Sequence, residues 1–222
     1  QSRRKRGTET TLAQRSLNIM QEIEAKFYVR NLGKIESRLQ ALETRLIQPR
    51  VLETNLRFDL PDGGLRSEGR VLRLRQDTAA RLTYKGAGKN EQGVVNRTEI
   101  EFTVEDFNKA KNFLEALGYQ KLLQYNKYRT TYELEHCHVM LDELPYGNFV
   151  EIEGENIATI HSMANKLELD IQAAISASYS ALFEKVRRTL GLTFTDLTFA
   201  NFEKIKVSPG HLQVQPADAN HP

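Results

Sequence analysis

Charged residues at every second position are the feature of this chain that most constrains its fold. In Glu22-Ile-Glu24-Ala-Lys26 the charged side chains alternate with apolar ones. Side chains of a β-strand alternate between the two faces of a sheet, so these three charges must share one face. The same spacing recurs at 73–75, 81–85, 97–101, 127–129, 139–142 and 149–153. The chain is therefore expected to form a sheet with one apolar face and one face that carries both cations and carboxylates.

Short turns rich in glycine and proline separate most of these segments, which favours a largely antiparallel sheet with helices on its outer, apolar face. The strands are predicted at 20–29, 51–59, 71–76, 81–85, 95–104, 123–133, 138–142 and 148–154. The helices are predicted at 32–46, 105–117 and 157–167, with a last one that Asp170 caps and that ends near Leu190. If such a sheet closes on itself with the helices outside, the charged faces of its strands meet one another in the interior.

The length of 222 residues suits one domain, expected at 18–191, with extensions at both ends. Residues 1–17 carry a basic cluster at 3–6 and are predicted to be a disordered basic extension. Residues 192–207 give mixed signals and receive no assignment. Residues 208–222 contain three prolines without periodicity, which predicts a disordered tail.

Composition excludes several classes of protein. A formal net charge of +2 and a pI near 8.6 are too mild to indicate a nucleic-acid-binding protein. Cys137 is the single cysteine, so no intrachain disulfide can form and a cytoplasmic location is expected. No apolar run is long enough to span a membrane, and residues 1–21 lack the apolar region of a signal peptide.

The inward charges indicate a site for a polyanion and a metal. Crowded cations inside a sheet are costly unless an anion lies among them, and arginine matches pairs of phosphate oxygens. These cations are Lys26, Arg73, Arg75, Arg81, Lys85, Arg97, Lys127 and Arg129. The carboxylates are Glu22, Glu24, Glu99, Glu101, Asp142, Glu151 and Glu153. Since carboxylates beside phosphates repel them, a hard divalent cation such as Mg²⁺ or Mn²⁺ is expected between the two sets.

The ordered series of motifs resembles the CYTH superfamily of triphosphate tunnel metalloenzymes, over about 19–190. The resemblance is carried by Glu22-x-Glu24-x-Lys26, Leu72-Arg-Leu-Arg75, Thr83-Tyr-Lys85, Arg97-x-Glu99-x-Glu101, Tyr125-Asn-Lys127-Tyr-Arg129 and the segment 141–153. The chain departs from the family at the second strand. Some members have Asp-x-Tyr-Phe there, where this chain has Asn55-Leu-Arg57-Phe58.

The resemblance implies an α+β fold, a closed eight-stranded antiparallel β-barrel with helices packed outside. It implies metal ligands at Glu22, Glu24, Asp142, Glu151 and Glu153, with Glu99 and Glu101 as further candidates. It implies phosphate contacts from Arg73, Arg75, Lys85, Arg97, Lys127 and Arg129. Lys26 is expected to contact the phosphate or assist the attacking water, and Lys26 and Glu24 are the expected catalytic residues.

Three functions follow as expectations. The first is a Mg²⁺- or Mn²⁺-dependent triphosphatase acting on inorganic triphosphate, ATP or thiamine triphosphate, as a monomer or homodimer. The second is a class IV adenylate cyclase, which converts ATP to cyclic AMP and diphosphate in a similar lining. The third is a non-catalytic module that binds polyphosphate or RNA. A cyclase must also hold the adenine of ATP, and no motif in the sequence indicates a pocket for it, so hydrolysis is favoured.

Overall fold

A closed ring of eight antiparallel strands forms the centre of the protein, seen in a computed structural model that describes residues 20–219. The described residues form nine strands, of which all but β5 belong to the ring. They are β1 Met20–Val29, β2 Arg45–Asp59, β3 Val71–Gln76, β4 Ala80–Lys85, β5 Lys89–Glu91, β6 Val94–Val104, β7 Gln120–Leu134, β8 Cys137–Leu144 and β9 Gly147–Glu153. They follow the order β1-β9-β8-β7-β2-β3-β4-β6, and β6 returns to β1. The predicted closed antiparallel arrangement is confirmed.

Strand β1 closes the ring by pairing with two different neighbours along its length. Residues 20–24 pair with β6, and residues 24–29 pair with β9. Glu24 lies where the two pairings meet, opposite Glu153 on one side and Val95 on the other. The ninth strand, β5, was not predicted and forms a short hairpin with β6, whose turn holds Gly93 at φ +83°.

Helices cover the apolar outer face of the ring. They are α1 Leu32–Ala41, α2 Gly64–Ser67, α3 Phe107–Ala116, α4 Ile157–Lys166, α5 Tyr179–Leu190, α6 Phe199–Phe202 and α7 Pro209–Leu212. Phe27, Val139 and Ile152 of the strands are fully buried in one cluster with Leu39 of α1 and Ile160 of α4. Burial of these alternate strand residues against helices leaves the other face of each strand for the interior.

The first helix is shorter than predicted. It ends at Ala41 rather than Leu46, because Glu43 adopts a left-handed φ of 54° and the Thr44 hydroxyl donates to the Leu39 carbonyl. The chain then enters β2 at Arg45, where pairing with the long strand β7 outweighs the helical spacing of the leucines. Register shifts in this pairing surround Pro49, which has no backbone N–H to donate.

The last long helix also starts later than predicted. Asp170 caps only a single 3₁₀ turn, Ile171–Ala173, by accepting from the Gln172 N–H. Helix α5 begins at Tyr179, and its N-cap is Ser178, which accepts from the Ala181 N–H. An extended connection between the two brings residues 174–178 to the ring.

The prediction of a disordered tail is wrong for residues 208–219, which pack onto the domain. Leu212 and Ala217 are buried, and the Ala217 N–H donates to the Tyr28 carbonyl at 2.8 Å. Asp218 accepts from the backbone N–H groups of Arg30 and Asn31. The stabilisation comes from long-range contacts, so local composition did not reveal it.

The unassigned segment 192–207 is also part of the domain. The Leu197 N–H donates to the Gln124 carbonyl of β7, and the Leu197 carbonyl accepts from the Asn126 N–H. Phe202 packs in a buried cluster with Phe183. The predicted basic extension, 1–17, lies outside the described residues. None of the helices within residues 20–219 has the length and apolar composition needed to span a bilayer.

Candidate active site

The interior of the ring holds a cavity of about 330 Å³ whose wall is dominated by charge. Eight cations and six carboxylates line this tunnel cavity. The cations are Lys26, Arg57, Arg73, Arg75, Lys85, Arg97, Lys127 and Arg129. The carboxylates are Glu22, Glu24, Glu99, Glu101, Glu151 and Glu153. The structure therefore brings together every predicted site residue except Arg81, which pairs with Asp77, and Asp142, which lies behind the wall.

Glu22 and Glu24 project from the same face of β1 and meet two cations. The Arg97 guanidinium donates to Glu22 Oε2 at 2.7 Å and to Glu24 Oε1 at 3.0 Å, and Lys85 pairs with Glu22. Burial by itself would raise the pKa of Glu22, but Lys85 and Arg97 outweigh it and lower that pKa to about 2. Both carboxylates are buried.

Glu99 and Glu153 lie beside this pair and carry the opposite perturbation. Burial and the nearby Glu22 raise the pKa of Glu99 to about 7, although Lys85 lies 3.0 Å away. Burial, Glu22 and Glu24 raise the pKa of Glu153, and no described cation forms an ion pair with it. Glu153 lies directly opposite Glu24 in the pairing of β1 with β9, and like charges at such positions destabilise a sheet. This end of the cavity therefore favours an additional cation.

A second charged cluster surrounds Asp142, which is fully buried. Its two oxygens accept from Arg129 Nε and Nη2, both at 2.6 Å, from Lys127 Nζ at 2.9 Å and from the Tyr179 hydroxyl at 2.8 Å. Arg129 also pairs with Glu151. These bonds engage both Asp142 oxygens and hold Lys127 and Arg129 toward the cavity.

Lys26 lies between the two clusters. Its ammonium is 3.2 Å from Glu151 Oε1 and 4.6 Å from the centre of the Tyr179 ring, and it donates to the Ala177 carbonyl at 3.5 Å. Burial opposes its charge, but the attraction of Glu151 and Glu24 is stronger, and the pKa of Lys26 is raised. Lys26 is therefore a cation in the cavity.

Arg73 and Arg75 on β3 share Glu101 as a partner. The Glu101 carboxylate accepts from Arg75 Nη2 at 2.9 Å and from Arg73 Nη2 at 3.4 Å, and the Thr83 hydroxyl donates to it at 2.7 Å. This carboxylate is the most exposed partner of the two arginines, with 28% of its side chain accessible.

Several lining residues were missed by sequence reasoning. Arg57 and Tyr125 share the inward parity of their strands, so the two-residue period could have found them. Tyr179 and its serine neighbours come from the start of α5, and no local pattern marks them. Glu53, which lies behind the lining, was missed too, although it shares the parity of Arg57 along β2.

Glu53 is a buried carboxylate that supports the wall from behind. Its oxygens lie 3.6 Å from Lys127 Nζ, 3.7 Å from Arg75 Nη1 and 4.0 Å from Arg129 Nε. Burial would raise the pKa of Glu53, but Lys127, Arg129 and Arg75 together lower it to about 2. The carboxylate thus offsets the repulsion among three inward cations.

Glu53→Gln is expected to destabilise the protein at pH 7 by an amount on the order of 3 kcal/mol, and by little near pH 2. The folded-state pKa of Glu53 is depressed, so its contribution is fully present above its ordinary pKa of 4.5 and is lost as pH falls toward 2. Urea unfolding of both proteins between pH 2 and 7 measures this. The exposed Glu105→Gln is the control, and parallel pH profiles for wild type and Glu53→Gln would contradict the expectation.

Comparison with known proteins agrees with this geometry. A sequence model of the CYTH domain matches residues 20–189, which is most of the chain. The chain belongs to the CYTH domain family. The resemblance seen in the sequence motifs is thereby confirmed.

Relatives of this CYTH protein include adenylate cyclase CyaB of Aeromonas hydrophila, 28% identical over 175 residues, or 76% of this chain and 87% of that protein. A Methanocaldococcus jannaschii protein with the provisional name adenylate cyclase is 28% identical over 170 residues, or 75% of this chain and 95% of that protein.

Solved structures share the CYTH fold. A Pyrococcus horikoshii protein superposes with a TM-score of 0.60 at 26% identity, covering 74% of this chain and 98% of that one. A Hippeastrum protein superposes with a TM-score of 0.56 at 19% identity, covering 87% of this chain and all of that one. The Hippeastrum protein, provisionally an adenylyl cyclase, is described as having a dominant triphosphatase activity.

Proposed function

We propose that this protein is a divalent-metal-dependent enzyme that cleaves a phosphoanhydride bond of a small triphosphate held in the tunnel cavity. The observation that carries the proposal is that, within residues 20–219, eight cations and six carboxylates line one cavity. A triphosphate supplies the negative charge that the cations need, and the carboxylates need a metal between them and the phosphates. Inorganic triphosphate, ATP and thiamine triphosphate are the candidate substrates.

The metal site is proposed at Glu22, Glu24 and Glu153. No three His, Cys, Asp or Glu side chains within residues 20–219 already converge as a formed metal centre. The donor set nevertheless fits Mg²⁺ or Mn²⁺, because it is all oxygen. Burial, together with Glu22 and Glu24, raises the pKa of Glu153, and a bound cation would oppose that shift. Dependence on divalent metal is general among the tunnel enzymes of this family. When bound, the ion would neutralise negative charge on the phosphate oxygens and on the leaving group.

Glu151 and Asp142, also expected to bind metal, are proposed to position cations instead. Glu151 pairs with Lys26 and Arg129. Asp142 has both oxygens engaged by Lys127, Arg129 and a tyrosine hydroxyl. Carboxylates saturated in this way fix the direction in which the cations project.

Cations around the cavity are proposed to grip the phosphates. They are Lys26, Arg73, Arg75, Lys85, Arg97, Lys127 and Arg129. Transfer of a phosphoryl group to water needs an in-line oxygen nucleophile and neutralisation of the departing diphosphate, and there is little covalent chemistry for the protein to perform. Fixed guanidinium and ammonium groups that line the cavity provide that stabilisation without reorganising.

Adenylate cyclase is the alternative function, favoured by the name of the Aeromonas relative. In that reaction the ribose 3′-hydroxyl attacks the α-phosphate and diphosphate leaves. The same cations would hold the phosphates, so the lining of the tunnel serves either reaction. The product separates them.

Product analysis on the three triphosphates is expected to show phosphate release with Mg²⁺ or Mn²⁺ and none with excess EDTA. ATP is expected to yield phosphate or diphosphate without cyclic AMP. Chromatography of the products measures both outcomes. Cyclic AMP as the main product establishes the alternative, and tight binding without turnover of any triphosphate would reduce the protein to a binding module.

A further inference from the structure

A second cavity of about 570 Å³ adjoins the tunnel cavity and shares part of its wall. The two cavities have Arg57, Val71, Arg97, Ser178 and Ser180 in common. We call this second space the mouth cavity. Because residues common to both spaces form the boundary, a ligand that extends from the tunnel at this point passes Arg57.

Arg57 is the exception among the cations that line the tunnel. Each of the others has a carboxylate within ion-pair distance, whereas none of the described carboxylates lies within 4.0 Å of the Arg57 guanidinium. Within residues 20–219, its Nη1 donates only to the Ser180 hydroxyl, at 3.3 Å, and its buried Nε has no hydrogen-bond partner. A largely buried guanidinium without an anion is costly.

The neighbours of Arg57 increase that cost. Arg57 lies directly opposite Arg73 in the pairing of β2 with β3, and like charges at such positions repel. Burial, Arg73 and Arg97 lower the pKa of Arg57, and the attractions of Tyr125 and Asp59 do not offset them. The local field therefore favours an anion beside this side chain.

The rest of the mouth cavity is also cationic. Arg66, Arg70 and Arg187 line it, and Glu184 is the one acidic residue of its lining among residues 20–219. Glu184 is held by Arg187 at 2.8 Å, and Arg70 pairs at 2.7 Å with Glu68, outside the lining. Two guanidinium groups, those of Arg57 and Arg66, thus have no ion-pair partner among the described residues. Together with the hydroxyls of Ser178 and Ser180, they match the oxygens of a phosphoryl group.

We propose that the mouth cavity is an anion subsite, centred on Arg57, for a fourth phosphoryl group attached to the triphosphate in the tunnel. Because that group binds beside a triphosphate, the subsite rests on the proposed function and specifies its substrate class. It predicts that oligophosphates longer than three units bind better than triphosphate.

The test compares dissociation constants for inorganic triphosphate and inorganic tetraphosphate, measured by calorimetry in Ca²⁺, a hard cation that binds carboxylate and phosphate oxygens, with chromatography of the ligand after each titration to show that no turnover occurred. The wild-type protein is expected to bind tetraphosphate about tenfold more tightly, the value of one charge-assisted contact. Arg57→Gln is expected to reduce this preference to less than about twofold, and Arg66→Gln to reduce it partly. Arg188→Gln, an exposed change on the same helix as Arg187, is the control and should keep the preference.

A second comparison measures the dissociation constants of adenosine 5′-tetraphosphate and ATP. A preference for it over ATP that Arg57→Gln removes shows that an organic group can accompany the fourth phosphoryl group, and a preference restricted to inorganic tetraphosphate shows a free polyphosphate end. Either result supports the subsite.

Equal affinities for three and four phosphoryl groups in the wild type, or a preference that survives Arg57→Gln, would overturn the subsite while leaving the tunnel site intact. Failure of both triphosphate and tetraphosphate to bind would overturn the tunnel site and the subsite together. If triphosphate binds but is not cleaved when Mg²⁺ or Mn²⁺ is added, the proposed enzymatic activity is overturned and the two binding sites are not.

Discussion

Glu24→Gln is expected to lower kcat by about 100- to 1,000-fold, the loss that follows from several kcal/mol of charge stabilisation. Glu24 lies at the closure point of the ring, directly opposite Glu153, and is one of three carboxylates proposed to hold the metal. Glutamine keeps the volume and one oxygen but removes the charge. The hydrogen bond from Arg97 can therefore persist while metal affinity falls.

Steady-state rates over a series of Mg²⁺ and Mn²⁺ concentrations measure this effect. The concentration of metal needed for half-maximal rate should rise together with the fall in kcat. Glu155→Gln is the matched control, because it makes the same chemical change just beyond β9 on a side chain that is 68% exposed. A Glu24→Gln enzyme that reaches the wild-type rate at high metal would show that Glu24 contributes only to metal affinity, and an unchanged metal dependence would remove it from the site.

Arg129→Met is expected to destabilise the folded protein by about 3–5 kcal/mol, the usual result of removing one partner from a buried ion pair. Arg129 makes two hydrogen bonds of 2.6 Å to the fully buried Asp142 and pairs with Glu151. After the change, Lys127 and Tyr179 are the partners that Asp142 keeps in the part of the chain that the structure describes. Methionine fills similar volume, so the loss reports charge rather than a cavity.

Urea denaturation at pH 7 gives the free energy of unfolding for this comparison. Arg50→Met is a close control, because Arg50 makes a similar two-bond contact with Glu143, at 2.7 and 3.0 Å, on the surface. An exposed pair of this kind contributes up to about 1 kcal/mol. Adding Asp142→Asn to Arg129→Met should recover part of the stability. Equal small losses for the two arginine variants would show that the interior charges are as well solvated as those outside.

The inward set of charges could be predicted without coordinates, because side-chain parity along a strand is a local property. Once 22–26 is a strand, Glu22, Glu24 and Lys26 share a face whatever the rest of the chain does. The same rule would have added Glu53 and Arg57, which have the parity of β2. The family resemblance placed the ring and its order of motifs, and the matched CYTH domain confirms it.

Element ends were less predictable, since long-range pairing decided them. The leucines after Ala41 have helical spacing, yet Leu46 joins β2 because β7 offers a partner over fifteen residues. The tail at 208–219 has weak local preferences and is held by contacts with Tyr28, Arg30 and Asn31, far away in sequence. Such contacts are invisible to composition.

The sequence by itself determined the chemistry of the interior: which residues are charged, which share a face, and that both signs must meet around a polyanion. Only the tertiary structure decided the partnership of each charge. It placed Asp142 behind the wall as a support and brought Tyr179 over Lys26. It also placed Arg57 between two cavities, where none of the carboxylates that the structure describes lies within ion-pair distance. Strand parity is set by neighbouring residues, whereas the pairing of charges depends on which strands lie beside each other in the closed ring.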